Sequence, residues 1–190
     1  MKIFKIANNN DEEYLSAVER GDMGKAQRMV DDDAKAKGYI GPVLHGTSSS
    51  FTSFDRDKIS KNYNPKLGDG FYFTESKKMA EYYAKNGDTP SILKFYILFN
   101  NPLNIFSIKE YRNAAMPNLV DKQAPILSYN DVLKSKGYDG IILRNNGIME
   151  EIVAFNPSQI KSADPVTRDS NGNIIPLSKR FDATNNLINY

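Results

Sequence analysis

Three short stretches hold residues able to do chemistry. His45-Gly46-Thr47 closes the run "VLHGT", and His45 is the single histidine of the chain. A glycine directly after a histidine lets main chain approach a ligand closely. A planar amide could then be held by backbone N–H and C=O groups, with the imidazole and the Thr47 hydroxyl bonding elsewhere. Tyr72 stands between Phe71 and Phe73 in "GDGFYFTESKKMAEYYA". Strand alternation sends Tyr72 to one face and both phenylalanines to the other, and a buried tyrosine needs a partner for its hydroxyl. Met79, Tyr82 and Tyr83 share one side of the helix that follows. Glu151 opens "EIVAF" beside Glu150. Neighbouring strand residues face opposite ways, so at most one of the two carboxylates shares the face of Val153 and Phe155. A glutamate there is costly unless paired or functional. Each stretch also has an ordinary reading: a satisfied core histidine, aromatic filling, a solvated acid at a strand edge.

The elements that must position these residues follow from periodicity. "NNNDEEYLSAVERGDMGKAQRMVDDDAKAKGY" reads as a helical hairpin, with Asn10 capping the first helix and Gly21 and Gly38 as stops. Tyr14, Ala17, Val18 and then Ala26, Met29, Val30, Ala34 give it one apolar side to dock. After Gly41-Pro42 the pattern turns to strands: "VLHGT", a long polar loop to Gly70, "GFYF", then the helix that Thr74 caps. Leu93, Phe95, Ile97 and Phe99 alternate as a strand ended by Asn100-Asn101-Pro102. "YNDVLKSKG" reads as a short helix, "IILR" and "EIVAF" as strands around the turn "NNG". The stretch beyond Ala163 is loop-like. The sum is an α+β fold with mostly antiparallel strands behind the hairpin.

Composition narrows the chemistry. The chain has 190 residues, suited to one domain with a modest extension, and its net charge of +2 carries no strong field for nucleic acid. It has no cysteine, which rules out disulfides and thiolate metal sites, and one histidine excludes a multi-histidine centre. The opening "MKIFKIANNNDEE" holds too short an apolar run for a signal peptide, and no segment approaches a membrane span. The expected compartment is the cytoplasm, with no membrane partner.

Taken in order, "LHGT", "GDGFYFTESKKMAEYYA" and "EEIVAFNPSQI" resemble the three motifs of the ADP-ribosyltransferase superfamily, in the His-Tyr-Glu branch of diphtheria toxin and the poly(ADP-ribose) polymerases. "VLHGT…FTSFD…GFYFTE", "NPL", "GYDGI" and "VAFNPSQIKSA" are similar, more closely, to the transferase domains of phage polyvalent proteins. The likeness covers about residues 11–165 and the "RFD" near the end. It implies a split antiparallel β-sandwich, divided as a hairpin over 1–40, a catalytic domain over 41–165 and a tail over 166–190.

The resemblance also implies roles. His45 binds the adenosine-side ribose of NAD, Gly46 the nicotinamide carboxamide with Thr47 nearby, and Tyr72 stacks on the nicotinamide ring. Tyr82 closes the other side, with its neighbour Tyr83 as the rival for that place. Glu151, in register from Phe155 and Gln159, bonds the 2′-hydroxyl of the nicotinamide ribose. The implied catalytic set is thus Glu151, Tyr72 and His45, with NAD as co-substrate and no metal. Met149, two places before Glu151, departs from the Gln or Glu of arginine-modifying members, which puts arginine as acceptor in doubt. The implied activity is transfer of a single ADP-ribose to a protein or nucleic acid, with release of nicotinamide. Delivery as a phage or toxin protein is compatible with it. The competing readings are a non-catalytic module binding NAD or ADP-ribose, and an enzyme moving phosphate from RNA to NAD.

Overall fold

A computed structural model of the chain describes residues 2–48, 51–55, 65–85, 90–115 and 129–190, with side chains from residue 9 onward. Among these are five α-helices and two sheets. The expected long polar loop before Gly70 lies partly outside the described residues.

Helices α1 (Lys2–Glu19) and α2 (Met23–Ala36) form the hairpin. Asp22 caps α2 by accepting the Lys25 N–H at 2.9 Å. The cap expected at Asn10 is absent, because α1 runs through it from Lys2. Asparagine costs only a fraction of a kcal/mol inside a helix, about 0.7 at most, so it does not interrupt an otherwise continuous one. The apolar side of the hairpin is buried as its spacing requires: Tyr14, Ala17, Ala26, Val30 and Ala34 pack with Tyr39, Tyr96, Ala163, Leu177 and Phe181.

The first sheet holds β1 (Ile40–Thr47), β3 (Ser91–Ile97) and β7 (Ile160–Ser162) in the order β1-β3-β7, all antiparallel. The second holds β2 (Phe71–Phe73), β4 (Pro102–Ile105), β5 (Gly140–Asn145) and β6 (Ile148–Ala154) in the order β2-β6-β5-β4. Its pairs are antiparallel except β4–β5, which runs parallel. Between the sheets lies the main core of Val43, Phe71, Phe73, Phe95, Ile97, Ile142, Ile152 and Ile160. Leu93 and Phe99 pack against it, so the alternating face of β3 points inward as its period demands. The hairpin covers the outer face of the first sheet through Tyr96. Helices α4 (Ile108–Ala115) and α5 (Tyr129–Ser135) cover the outer face of the second, with Tyr111, Leu133, Leu143 and Val153 buried there.

The two sheets meet at one bridge, where Leu44 and Thr74 exchange N–H···O=C bonds of 2.8 and 3.0 Å. Among the described residues β1 and β2 share no further pairing, so the sandwich is split there. Helix α3 (Lys77–Ala84), capped by the Ser76 hydroxyl rather than by Thr74, packs on β1 beside the split.

Candidate active site

Glu151 is set by a break in register. Leu143 pairs with Glu151 but Arg144 pairs with Met149, so Glu150 is the extra residue of a β-bulge. The bulge turns Glu150 aside, where it accepts the Asn145 side-chain N–H at 3.1 Å. Glu151 returns to the face of Leu143 and Val153, which is the face of Tyr72, since Tyr72 pairs with Val153. Its side chain is buried, and Oε2 has no hydrogen-bond partner among the described residues. Burial therefore pushes the carboxyl above the usual carboxylate range; the Lys66 charge opposes this and Glu150 adds to it.

Tyr72 is half-buried on that same face and donates its hydroxyl to the Gly68 carbonyl at 2.6 Å. The loop that offers this carbonyl is held by Asn130, which is fully buried. Asn130 donates to the carbonyls of Leu67 and Asp69 at 2.9 and 2.7 Å, and accepts the Tyr111 hydroxyl at 3.0 Å. Gly68 has φ +75, and a Cβ there would lie 2.6 Å from the Tyr111 hydroxyl. Asn130 and Tyr111 thus position Tyr72 from a distance. Neither has a local sequence signal, because an asparagine at the head of a short helix has the pattern of an ordinary cap.

His45 faces the other way, into the space between the sheets. Its Nδ1 lies 2.8 Å from the Tyr72 carbonyl. A carbonyl only accepts, so Nδ1 carries the proton and the neutral ring keeps its acceptor at Nε2. The rings of Phe51, Phe54, Phe73 and Phe95 surround it at centroid distances of 5.9, 5.1, 5.5 and 6.2 Å. Desolvation by this cage lowers the imidazole pKa from 6.5, partly offset by the Tyr72 carbonyl. Phe51 and Phe54 come from the segment after β1 and carry no periodic signal, so sequence pattern alone did not single them out.

Gly46 follows on β1. Leu44 directs its N–H and C=O to Thr74, away from β3, and alternation directs those of Gly46, two residues on, to the same side. A Cβ at Gly46 would sit 2.0 Å from the Ala80 carbonyl oxygen, so α3 packs directly on this glycine. Ala80 and Ala84 make that contact. Met79 lies beside Thr74, its Sδ 4.0 Å from the Thr74 hydroxyl, and Tyr83 is one turn further along the same side. Tyr82 points outward with 67% of its surface exposed against 36% for Tyr83; their rings meet edge-on at 5.5 Å. Thr47 ends β1, opposite Ser91.

The arrangement has two parts joined at β2. Tyr72 and Glu151 share one face of the second sheet, while His45 lies on the opposite side of β2 and touches Tyr72 at its carbonyl. Between them runs the edge of β1 away from β3 at Gly46, packed by α3 and without a further strand partner among the described residues. The buried carboxylate, the neutral imidazole acceptor, the Gly46 edge and the aromatic rings thus come from adjoining elements on the two sides of β2. A shallow depression of about 230 Å³ on the other flank of α3 is lined by Glu81, Ala84, Lys85, Pro90, Ser91 and Ile92, and contains none of these groups. No cluster of acidic and histidine residues suited to a metal ion occurs among the described residues, and no helix among them is long and apolar enough to cross a membrane.

The family model that describes the ADP-ribosyltransferase in polyvalent proteins matches residues 33–170, well over half of the chain. No curated protein and no solved structure matches it.

Proposed function

The chain belongs to the family of ADP-ribosyltransferases in polyvalent proteins, and from that membership we propose that it transfers one ADP-ribose unit from NAD to a macromolecule. The single observation that carries this reading is Glu151, desolvated, with Oε2 unpartnered, on the face of Tyr72. A buried carboxylate oxygen with no donor weakens a fold, so its retention points to a ligand that supplies the donor.

The proposed chemistry breaks the bond between nicotinamide and ribose, and the electron pair leaves with nicotinamide. Positive charge develops on the ribose carbon and ring oxygen, as in glycoside cleavage. The acceptor nucleophile then bonds to that carbon and gives up its proton. Glu151 takes the 2′-hydroxyl of that ribose, a contact that strengthens as the charge grows and so favours the transition state over the ground state. Gly46 offers its N–H and C=O to the carboxamide, with Thr47 beside it. Tyr72 stacks on the nicotinamide, and Tyr83, on the Met79 side of α3, is a better second wall than the outward Tyr82. His45 uses Nε2 to accept a hydroxyl of the adenosine ribose, because Nδ1 is already engaged. This assigns the chain to the His-Tyr-Glu type, acting in the cytoplasm and without a metal.

The test uses NAD labelled in its adenylate half, incubated with the protein and cell lysate. Label should enter the macromolecular fraction and leave it on protease treatment or on nuclease treatment, whichever acceptor is used. Saturable NAD binding with no label transferred and no nicotinamide released would replace the enzyme by a binding module.

A further inference from the structure

Residues 185–190 lie beyond the segment that the family model matches, yet they are built into the structure around His45. The Ser162 N–H donates to the Ile188 carbonyl at 2.7 Å, and the Ile188 N–H donates to the Thr52 carbonyl at 3.1 Å. Ser53 and Leu187 form an antiparallel bridge. The C-terminal strap therefore fits between β7 and residues 52–53, extending the first sheet back toward the segment that follows β1. Ile188 is buried in the core between the sheets together with Phe54, Phe73 and Phe95. Two further contacts fix the strap beyond Ile188: the Thr167 hydroxyl donates to the Asn189 carbonyl at 2.9 Å, and the Asn189 side chain donates to the Arg168 carbonyl at 2.9 Å.

One buried cation anchors this strap. Lys161 is almost fully buried, and its Nζ donates to the carbonyls of Asn185 and Leu187 at 2.6 and 3.1 Å. No ion pair is formed by this ammonium among the described residues, so its binding partner is the strap backbone. A buried lysine bonded to backbone carbonyls is an expensive way to hold a chain end that did nothing.

We infer that the strap is a positioning element of the site. Anchored by Lys161 and paired with Thr52 and Ser53, it holds Phe51 and Phe54 against His45 and so fixes where the imidazole presents Nε2. Lys161 and Ile188 act only through this chain of contacts and do not touch the ligand. The consequence for NAD rests on the reading given under Proposed function; the hold on His45 does not.

Because His45 is the only histidine, its ring resonances in an NMR spectrum are unambiguous, and they read the cage without any ligand. Two variants of the full chain loosen the strap by different means. Lys161→Met removes both Nζ bonds; burial already pulls this ammonium down to about 8, so the change also removes a buried charge, and the fold is expected to survive it. Ile188→Pro keeps an apolar side chain and removes the N–H given to Thr52. In both, the His45 ring should lose the ring-current shifts imposed by Phe51 and Phe54, and its titration should move up toward 6.5 from the lowered wild-type value. The KM for NAD should rise about ten-fold, the scale of one or two hydrogen bonds lost, with kcat within about two-fold. Ring resonances and titration identical to wild type in both variants would overturn the inference. If they move as stated but wild-type protein neither binds nor turns over NAD, the strap's hold on His45 stands and the nucleotide reading of the site falls.

Discussion

On the proposed reading, Glu151 opposes stability and chemistry in one side chain. Burial raises its pKa above 4.5, and a group with a raised folded-state value stabilises the fold at low pH. That contribution is lost as pH rises through the folded value, because the buried carboxyl must then ionise. Glu151→Gln keeps the shape and cannot ionise. Its thermal midpoint should exceed that of wild type by a few degrees above neutral pH, and the gap should close as pH falls toward 4.5. Equal midpoints across the whole range would mean that the carboxyl is not desolvated. His45 carries the opposite sign: with its pKa lowered from 6.5, its contribution is present above that value and fades as pH falls. At this scale the residue types were legible, since a glutamate in an apolar strand and a lone histidine before glycine both stand out. The bulge was not. Strict alternation left two adjacent carboxylates competing for one face, and only the pairing of Arg144 with Met149 shows that Glu150 is the inserted residue.

Elements were legible where their period was strong and they packed on one side. The hairpin and β3 followed from spacing because each buries a continuous apolar face. Strand β4 and helix α4 were not foreseen. Pro102-Leu103-Asn104-Ile105 reads as a strand end, and it becomes a strand only through its parallel partner β5, a long-range contact without a local signature. Helix α5 was legible in "YNDVLKSKG", but the bonds of its head residue Asn130 to the distant Leu67–Asp69 loop were not. Asn130→Ala leaves two buried carbonyls and the Tyr111 hydroxyl without their partner, which should cost about 3 kcal/mol at about 1 kcal/mol for each lost bond. Urea denaturation measures it. A loss below about 0.5 kcal/mol would show that water replaces the amide and that the loop under Tyr72 is not held by it.

The whole molecule is larger than the family match. Residues 33–170 include both sheets but leave out α1, most of α2 and everything after Asp169-Ser170. Those missing parts supply Tyr14, Ala17, Ala26, Val30, Leu177 and Phe181 to the second core cluster, against Tyr96 and Ala163. Arg180 ties them together: its guanidinium, almost fully buried, donates to the carbonyls of Ser162 and Asp164 at 3.0 and 2.8 Å and reaches the Tyr14 hydroxyl at 3.5 Å. A fragment limited to residues 33–170 should therefore lose the cooperative melt of the full chain, seen by circular dichroism. A sharp transition near the full-length midpoint would show that hairpin and tail are passengers. The "RFD" near the end was visible as part of a resemblance, but the burial of Arg180 and Phe181 between hairpin and sheet was not, because nothing in its spacing names a partner more than a hundred residues away.

The most direct test of the central claim is nicotinamide release from NAD, followed for wild type and for Glu151→Gln in the same buffer. The account predicts steady release by wild type and a loss of at least about a hundred-fold in the variant, the scale of one transition-state contact, with a melt no lower than wild type above neutral pH. Equal rates in a folded variant would contradict it, and so would a folded wild type that releases no nicotinamide.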